Sequence, residues 1–144
     1  MATWLVKSEP GCFSWAQQRA AGTEPWTGVR NALARRHLGA MRLGDQALFY
    51  HSNARGAARV GDGGRACVGL VEVAREAYPD PTDADGRWLC VDMRAGATLP
   101  RPVTLAQLKA DPFFADLPLL RQSRLSVSPV PEPHWRRILG LAGL

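Results

Sequence analysis

The chain is poor in cysteine, nearly without lysine, and has no long apolar run. Each shortage excludes something. Cys12, Cys67 and Cys90 are odd in number and far apart, so they frame neither a disulfide scaffold nor a zinc site. They read as small buried hydrophobes. No apolar stretch approaches the roughly 20 residues that cross a bilayer, so no membrane partner is expected. The segment Met1–Lys7 is too short and too early-charged for a secretory signal, which makes the cytoplasm the expected compartment. His37, His51 and His134 lie far apart without metal-ligand spacing. Gly61-Asp62-Gly63-Gly64 lacks the lysine and the strand–loop–helix setting of a phosphate-binding loop. No internal repeat is present. Neither a metal nor a cofactor is expected.

What remains is an ordinary globular composition, 46% hydrophobic, in a chain of 144 residues, long enough for one domain with a real core. The net charge of +5 is unevenly spread. Residues 1–75 carry ten basic and five acidic side chains, whereas residues 76–144 carry eight of each. Sixteen of the 18 basic residues are arginine, the side chain suited to bidentate phosphate contact and stacking. Nucleic acid is therefore the favoured partner. The competing reading is an arginine- and alanine-rich chain whose charges are merely solvated.

Trp4-Leu5-Val6 reads as a first strand ending near Lys7-Ser8. Ser14 and Gln17 have capping-box spacing ahead of a helix from Trp15 to about Ala21. Thr23–Gly28 reads as a loop, and Asn31 as the cap of a helix from Ala32 to about Ala40. Strands are expected over Ala47–His51, Ala66–Glu76 and Trp88–Met93, with Tyr78–Gly86 a loop and Pro100-Arg101-Pro102 an interruption. Thr104 and Gln107 repeat the capping-box spacing, and Asp111-Pro112 opens a further turn of helix. Leu125–Ser128 alternates like a half-buried strand, and Pro133–Leu141 is a packing helix. Four to six strands with short helices outside them make an α+β or small-barrel plan.

Trp26 carries the most chemistry. Held between Pro25 and Gly28, it belongs to irregular backbone, where an indole either plugs the core or offers a flat stacking surface. Arg30 and Asn31 follow it with planar hydrogen-bonding groups, the equipment a nucleobase needs. Lys7-Ser8 and Ser52-Asn53 each follow a strand, where a pocket can open. Asn53 has the donor and acceptor to match a base edge, or it is a turn residue. Tyr78 is a second cage wall or a lid over the core. Lys7, Ser8 and Glu72 are the residue types of a lysine-activated nucleophile with a carboxylate, although their spacing does not require that chemistry.

Together, Lys7-Ser8-Glu9-Pro10, Trp26–Asn31, Phe49–Asn53, Tyr78-Pro79-Asp80, Pro100–Leu105 and Arg121–Val127 resemble the EVE domain family, in order and across essentially the whole chain. The resemblance implies a PUA-like fold, an α+β small mixed β-barrel flanked by short helices, related to the YTH readers of N6-methyladenine. It implies recognition of a modified base in DNA or RNA, without known catalysis; the reading adopted is a non-catalytic binding module with DNA as the expected nucleic acid. Trp26 matches the loop tryptophan of the aromatic cage, and Lys7-Ser8 the basic–polar pair beside it. The sequence departs from the pattern in the long basic insertion 54–65 and in Ala32-Leu33 after Asn31, where an aromatic–glutamine pair is expected. The expected base contacts are Lys7, Ser8, Trp26, Arg30, Asn31, Ser52, Asn53 and Tyr78. The expected phosphate contacts are Arg35, Arg36, Arg55 and Arg59. The alternatives are an amidohydrolase of the ASCH type acting on a modified nucleoside, and a module binding a small molecule or a protein.

Overall fold

A computed structural model describes residues 2–52 and 64–144. Asn53, Arg55 and Arg59, and most of the basic insertion, lie outside the described residues. Six strands appear: β1 (Thr3–Ser8), β2 (Thr23–Pro25), β3 (Gln46–His51), β4 (Ala66–Pro79), β5 (Leu89–Thr104) and β6 (Val127–Pro129). The helices are α1 (Trp15–Ala21), α2 (Ala32–Ala40), α3 (Leu105–Ala110), α4 (Pro118–Arg121) and α5 (Glu132–Ala142), with a 3₁₀ turn at Pro112–Phe114. The helix starts follow the side-chain chemistry. Ser14 with Gln17, and Thr104 with Gln107, form reciprocal capping boxes. Asn31 accepts from the Ala34 amide at 2.9 Å and starts α2.

One sheet runs β2-β5-β4-β3-β1-β6. β1 and β3 are parallel, and every other pair is antiparallel. The parallel pair explains why Trp4-Leu5-Val6 is a continuous apolar run: both faces of the sheet are covered. Trp4, Val6 and Phe49 pack with Trp26, Trp15 and α2 on one face. Leu5, Leu48 and Tyr50 pack with α3, α4 and α5 on the other. The PUA-like α+β class holds, but the expected barrel is corrected to an open sheet. Its outer strands β2 and β6 are three residues each and pair only with β5 and β1. Curvature comes instead from β4 and β5, whose pairing slips register at four points.

Three strand boundaries also change. Thr23–Pro25 is a strand on the sheet edge rather than part of a loop. β4 continues to Pro79, so Tyr78 is a strand residue opposite Cys90. β5 runs through Pro100 and Pro102, because β2 pairs β5 only opposite Asp92–Arg94, and beyond that a missing N–H goes unneeded. Gly69 in β4 allows a close approach: a Cβ there would sit 2.3 Å from Trp15 Cζ2.

Candidate nucleic-acid interface

The parallel strands β1 and β3 end side by side, with Ser8 opposite His51 and the Ser52 amide donating to the Ser8 carbonyl at 2.9 Å. The pleat sends successive side chains to opposite faces. Ser8 therefore joins the Trp26 face and Lys7 the other, and a cleft opens on each side of the rim. The first, about 390 Å³, is lined by Ser8, Phe13, Trp26 and Gly28 with Lys7 and Ser126 at its edge. The second, about 550 Å³, is lined by Tyr50, Ser52, Arg65, Lys109 and Arg124, again with Lys7 and Ser126. Both volumes fall in the range of small-ligand sites.

Trp26 is only 7% exposed. Its indole meets Phe49 edge-on at 5.5 Å and Phe13 at 6.2 Å. The two sequence readings of Trp26 thus merge: the indole is packed into the core and its remaining surface lines the cleft. The backbone holds it there. Trp26 N–H donates to the Val91 carbonyl at 2.7 Å, continuing the β2–β5 edge. Two residues on, Gly28 turns the chain at φ +83°, a conformation that favours glycine.

Asp80 anchors this loop. Its carboxylate is 1% exposed and accepts from Gly28 N–H (2.8 Å), Arg30 Nη1 (3.0 Å), Thr82 N–H (2.7 Å) and Thr82 Oγ1 (2.6 Å). Burial alone would raise its pKa, but the hydrogen bonds from Thr82, Gly28 and Arg30 outweigh burial and hold it at about 2. Asp80 is thus a buried charge with its acceptor capacity filled, tying the Trp26 loop to the β4–β5 connection.

The other expected contacts divide. Lys7 reaches the rim and donates to the Ser123 carbonyl at 2.8 Å, with burial lowering its pKa. Ser8 lines the Trp26 cleft, with its hydroxyl donating to the Phe13 carbonyl at 2.5 Å, so it offers a ligand an acceptor. Ser52 lines the second cleft rather than the first. Arg30 also lines the Trp26 cleft, with its guanidinium bonded to Asp80 and to Thr82 Oγ1, so it holds the loop from within the cleft wall. Asn31 spends its side-chain oxygen on the α2 cap. Tyr78 lies away from the Trp26 cage: it lines neither cleft, its hydroxyl bonds Asp92, and Arg75 stacks on its ring at 3.7 Å. Arg35 and Arg36 line neither cleft; Arg35 lies over Trp88 at 5.3 Å and bonds the Arg87 carbonyl.

Sequence reasoning missed Phe13, Asp80, Tyr50, Arg65, Lys109 and Arg124. One signal was present. Arg121–Val127 leads straight into β6, the neighbour of β1, so its Ser123, Arg124 and Ser126 had to land beside Lys7. The Lys7, Ser8 and Glu72 combination does not assemble. Lys7 and Ser8 point to opposite faces, and Glu72 sits opposite Gln46, four residues along β3 from the partner of Lys7. Among the described residues no group of three metal-binding side chains forms, and no helix is long and apolar enough to cross a membrane.

An open mixed sheet, helices on both faces and a tryptophan-floored cleft at one strand end define a small domain of the PUA-like class. Residues 2–141 match the EVE domain, and the chain belongs to that family. A Rhodopseudomonas palustris protein solved by NMR is 50% identical, with a TM-score of 0.87 over 99% of this chain and 94% of that one. Mouse thymocyte nuclear protein 1 is 32% identical over 171 residues, covering 96% of this chain and 72% of the relative. A crystal structure of human THYN1 protein in complex with 5-methylcytosine-containing DNA is 30% identical, with a TM-score of 0.87 over 100% of this chain and 99% of that one. A Zymomonas mobilis ASCH protein, 10% identical with a TM-score of 0.56, shares the fold alone.

Proposed function

We propose that the domain is a non-catalytic reader of a modified base in DNA, taking the extruded base into the Trp26 cleft. The observation that carries this reading is the cleft itself. An aromatic floor of Trp26 and Phe13 meets a polar rim of Lys7, Ser8 and Ser126, in a chain whose human relative was crystallised with 5-methylcytosine-containing DNA. Base–aromatic contact supplies about 1–3 kcal/mol. An added methyl group buried against the indole contributes about 0.8 kcal/mol, roughly a fourfold preference over the unmodified base. Lys7 and Ser126 at the rim lie where the base edge and its sugar would emerge. A hydrolase reading finds no support in the geometry, because Ser8 is engaged with a backbone carbonyl and Lys7 faces the opposite side of the sheet.

The test is a fluorescence competition series. Matched DNA and RNA oligonucleotides carry cytosine, 5-methylcytosine, adenine or N6-methyladenine at one position, and products are analysed after long incubation. A preference for one modified DNA, without release of base or strand, is expected. Equal affinity for every oligonucleotide, or turnover above one product per protein, would defeat the proposal.

A further inference from the structure

The second cleft, across the rim from Trp26, has a composition that the base-binding reading does not use. Lys7, Arg65, Lys109 and Arg124 line it, against Glu9 as the one carboxylate of its described lining. Among the described residues, Arg65, Lys109 and Arg124 form no ion pair with a carboxylate. Tyr50 is 3% exposed and reaches the same cleft, yet no described group hydrogen-bonds its hydroxyl. The hydroxyl opens onto the cleft rather than being sealed in the core, so a ligand entering there meets an O–H donor. Burial, together with the neighbouring Cys67, pushes its pKa up to about 12 against the opposing pull of Arg65, so the hydroxyl keeps its proton and can donate. A site with several cations free of carboxylate partners, the Tyr50 O–H donor and the Ser52 and Ser126 hydroxyls has the chemistry of a phosphate oxyanion cradle.

We propose that this cleft holds the phosphodiester backbone next to the base that enters the Trp26 cleft. The proposal rests on the reading of the Trp26 cleft as a base site. The two clefts share Lys7, Glu9 and Ser126, so a strand crossing the ends of β1 and β3 meets one with its base and the other with its phosphates. The backbone path then runs over α3 and the segment before β6, away from Arg35 and Arg36 on α2. Arg35 is already held by Trp88 and the Arg87 carbonyl.

The test measures affinity against salt for a fluorescent single-stranded DNA bearing one 5-methylcytosine, and for the same strand with an abasic site there. Lys109 and Arg124 are both exposed, so Lys109→Ala with Arg124→Ala leaves the fold intact. Every phosphate that a variant ceases to neutralise on single-stranded DNA reduces the slope of log K against log salt by about 0.7. The double variant should lose about 1.4 from the slope on both oligonucleotides. Tyr50→Phe, being uncharged, should weaken binding about tenfold with an unchanged slope. Arg35→Ala with Arg36→Ala should keep the wild-type slope. A wild-type slope in the Lys109/Arg124 double variant, or an equal loss in the Arg35/Arg36 one, would overturn the proposal. If wild type binds methylated and abasic strands equally, the base reading fails while the slopes still decide this one. A wild-type protein binding neither strand overturns both.

Discussion

Replacing Asp80 by asparagine keeps the shape of the side chain and removes its charge. The carboxylate sits at about 2 in the folded protein against 3.8 for the free group. That difference is worth about 2–3 kcal/mol, since one pKa unit is about 1.4 kcal/mol. Arg30 keeps 38% of its side chain in water, so its share is screened and the figure is an upper bound. The sign follows from the direction of the shift. A carboxylate depressed by folding contributes its full stability above the unfolded pKa and loses it as pH falls through the folded pKa. Urea unfolding followed by tryptophan fluorescence should therefore find Asp80→Asn less stable than wild type by about 2 kcal/mol at pH 7. The gap should shrink to roughly half at about pH 3 and nearly vanish at about pH 2. Gly28 and Trp26 lose their anchor with Asp80, so the variant should also bind modified DNA more weakly with an unchanged salt slope. A variant as stable as wild type at neutral pH, or a gap that persists undiminished in acid, would refute the account of Asp80 as the charged clamp of the Trp26 loop.

Trp26→Ala should cost about 3–5 kcal/mol of unfolding free energy, because the indole is core, so affinity is better read in Trp26→Phe. That variant should stay folded by circular dichroism and lose roughly fivefold in affinity for the preferred modified base. Gly69→Ala drives a methyl into the Trp15 ring and should lower the thermal midpoint through about 1–3 kcal/mol of overpacking, read by calorimetry. His51 Nε2 accepts from the Trp15 amide at 3.0 Å, and burial lowers its pKa from 6.5. Its contribution is complete above pH 6.5 and falls away as the pH drops toward its lower folded pKa, so melts from about pH 7.5 down to about pH 5 should decline more steeply for wild type than for His51→Gln.

Local signals in the sequence proved legible where one residue decides one hydrogen bond. Ser14, Asn31 and Thr104 cap the helices their spacing announces, and Trp4-Leu5-Val6 is a strand with both faces buried. Strand ends were harder, because pairing partners distant in sequence decide them. Tyr78-Pro79 looks like a loop until Leu89 and Cys90 are seen opposite, and Pro100 looks like a break until β5 is seen to have, among the described residues, no strand partner on that edge. The aromatic cleft was half legible. Trp26, Lys7, Ser8 and Arg30 come together, whereas Asn31 and Tyr78 satisfy groups of the protein away from the cleft. The period-2 argument that Lys7 and Ser8 diverge was available from sequence and separates the two clefts. Asp80 was invisible for a physical reason: nothing in Tyr78-Pro79-Asp80 shows that its carboxylate turns inward to a glycine amide 52 residues earlier.

Pro100 and Pro102 bear on how copies of the domain meet in solution. The outer margin of β5 beyond β2 is a row that a strand from a second molecule could otherwise zip onto, the usual first step of sheet-to-sheet aggregation. Two prolines two residues apart deny that margin two donors, and Arg101 between them reaches away to the Leu141 carbonyl at 3.2 Å. Among the described residues no strand pairs with this margin beyond β2, and the two prolines make it a poor template for a second copy. Replacing both prolines by valine should leave the domain folded and make it accumulate as larger assemblies on concentration than wild type does, visible by light scattering.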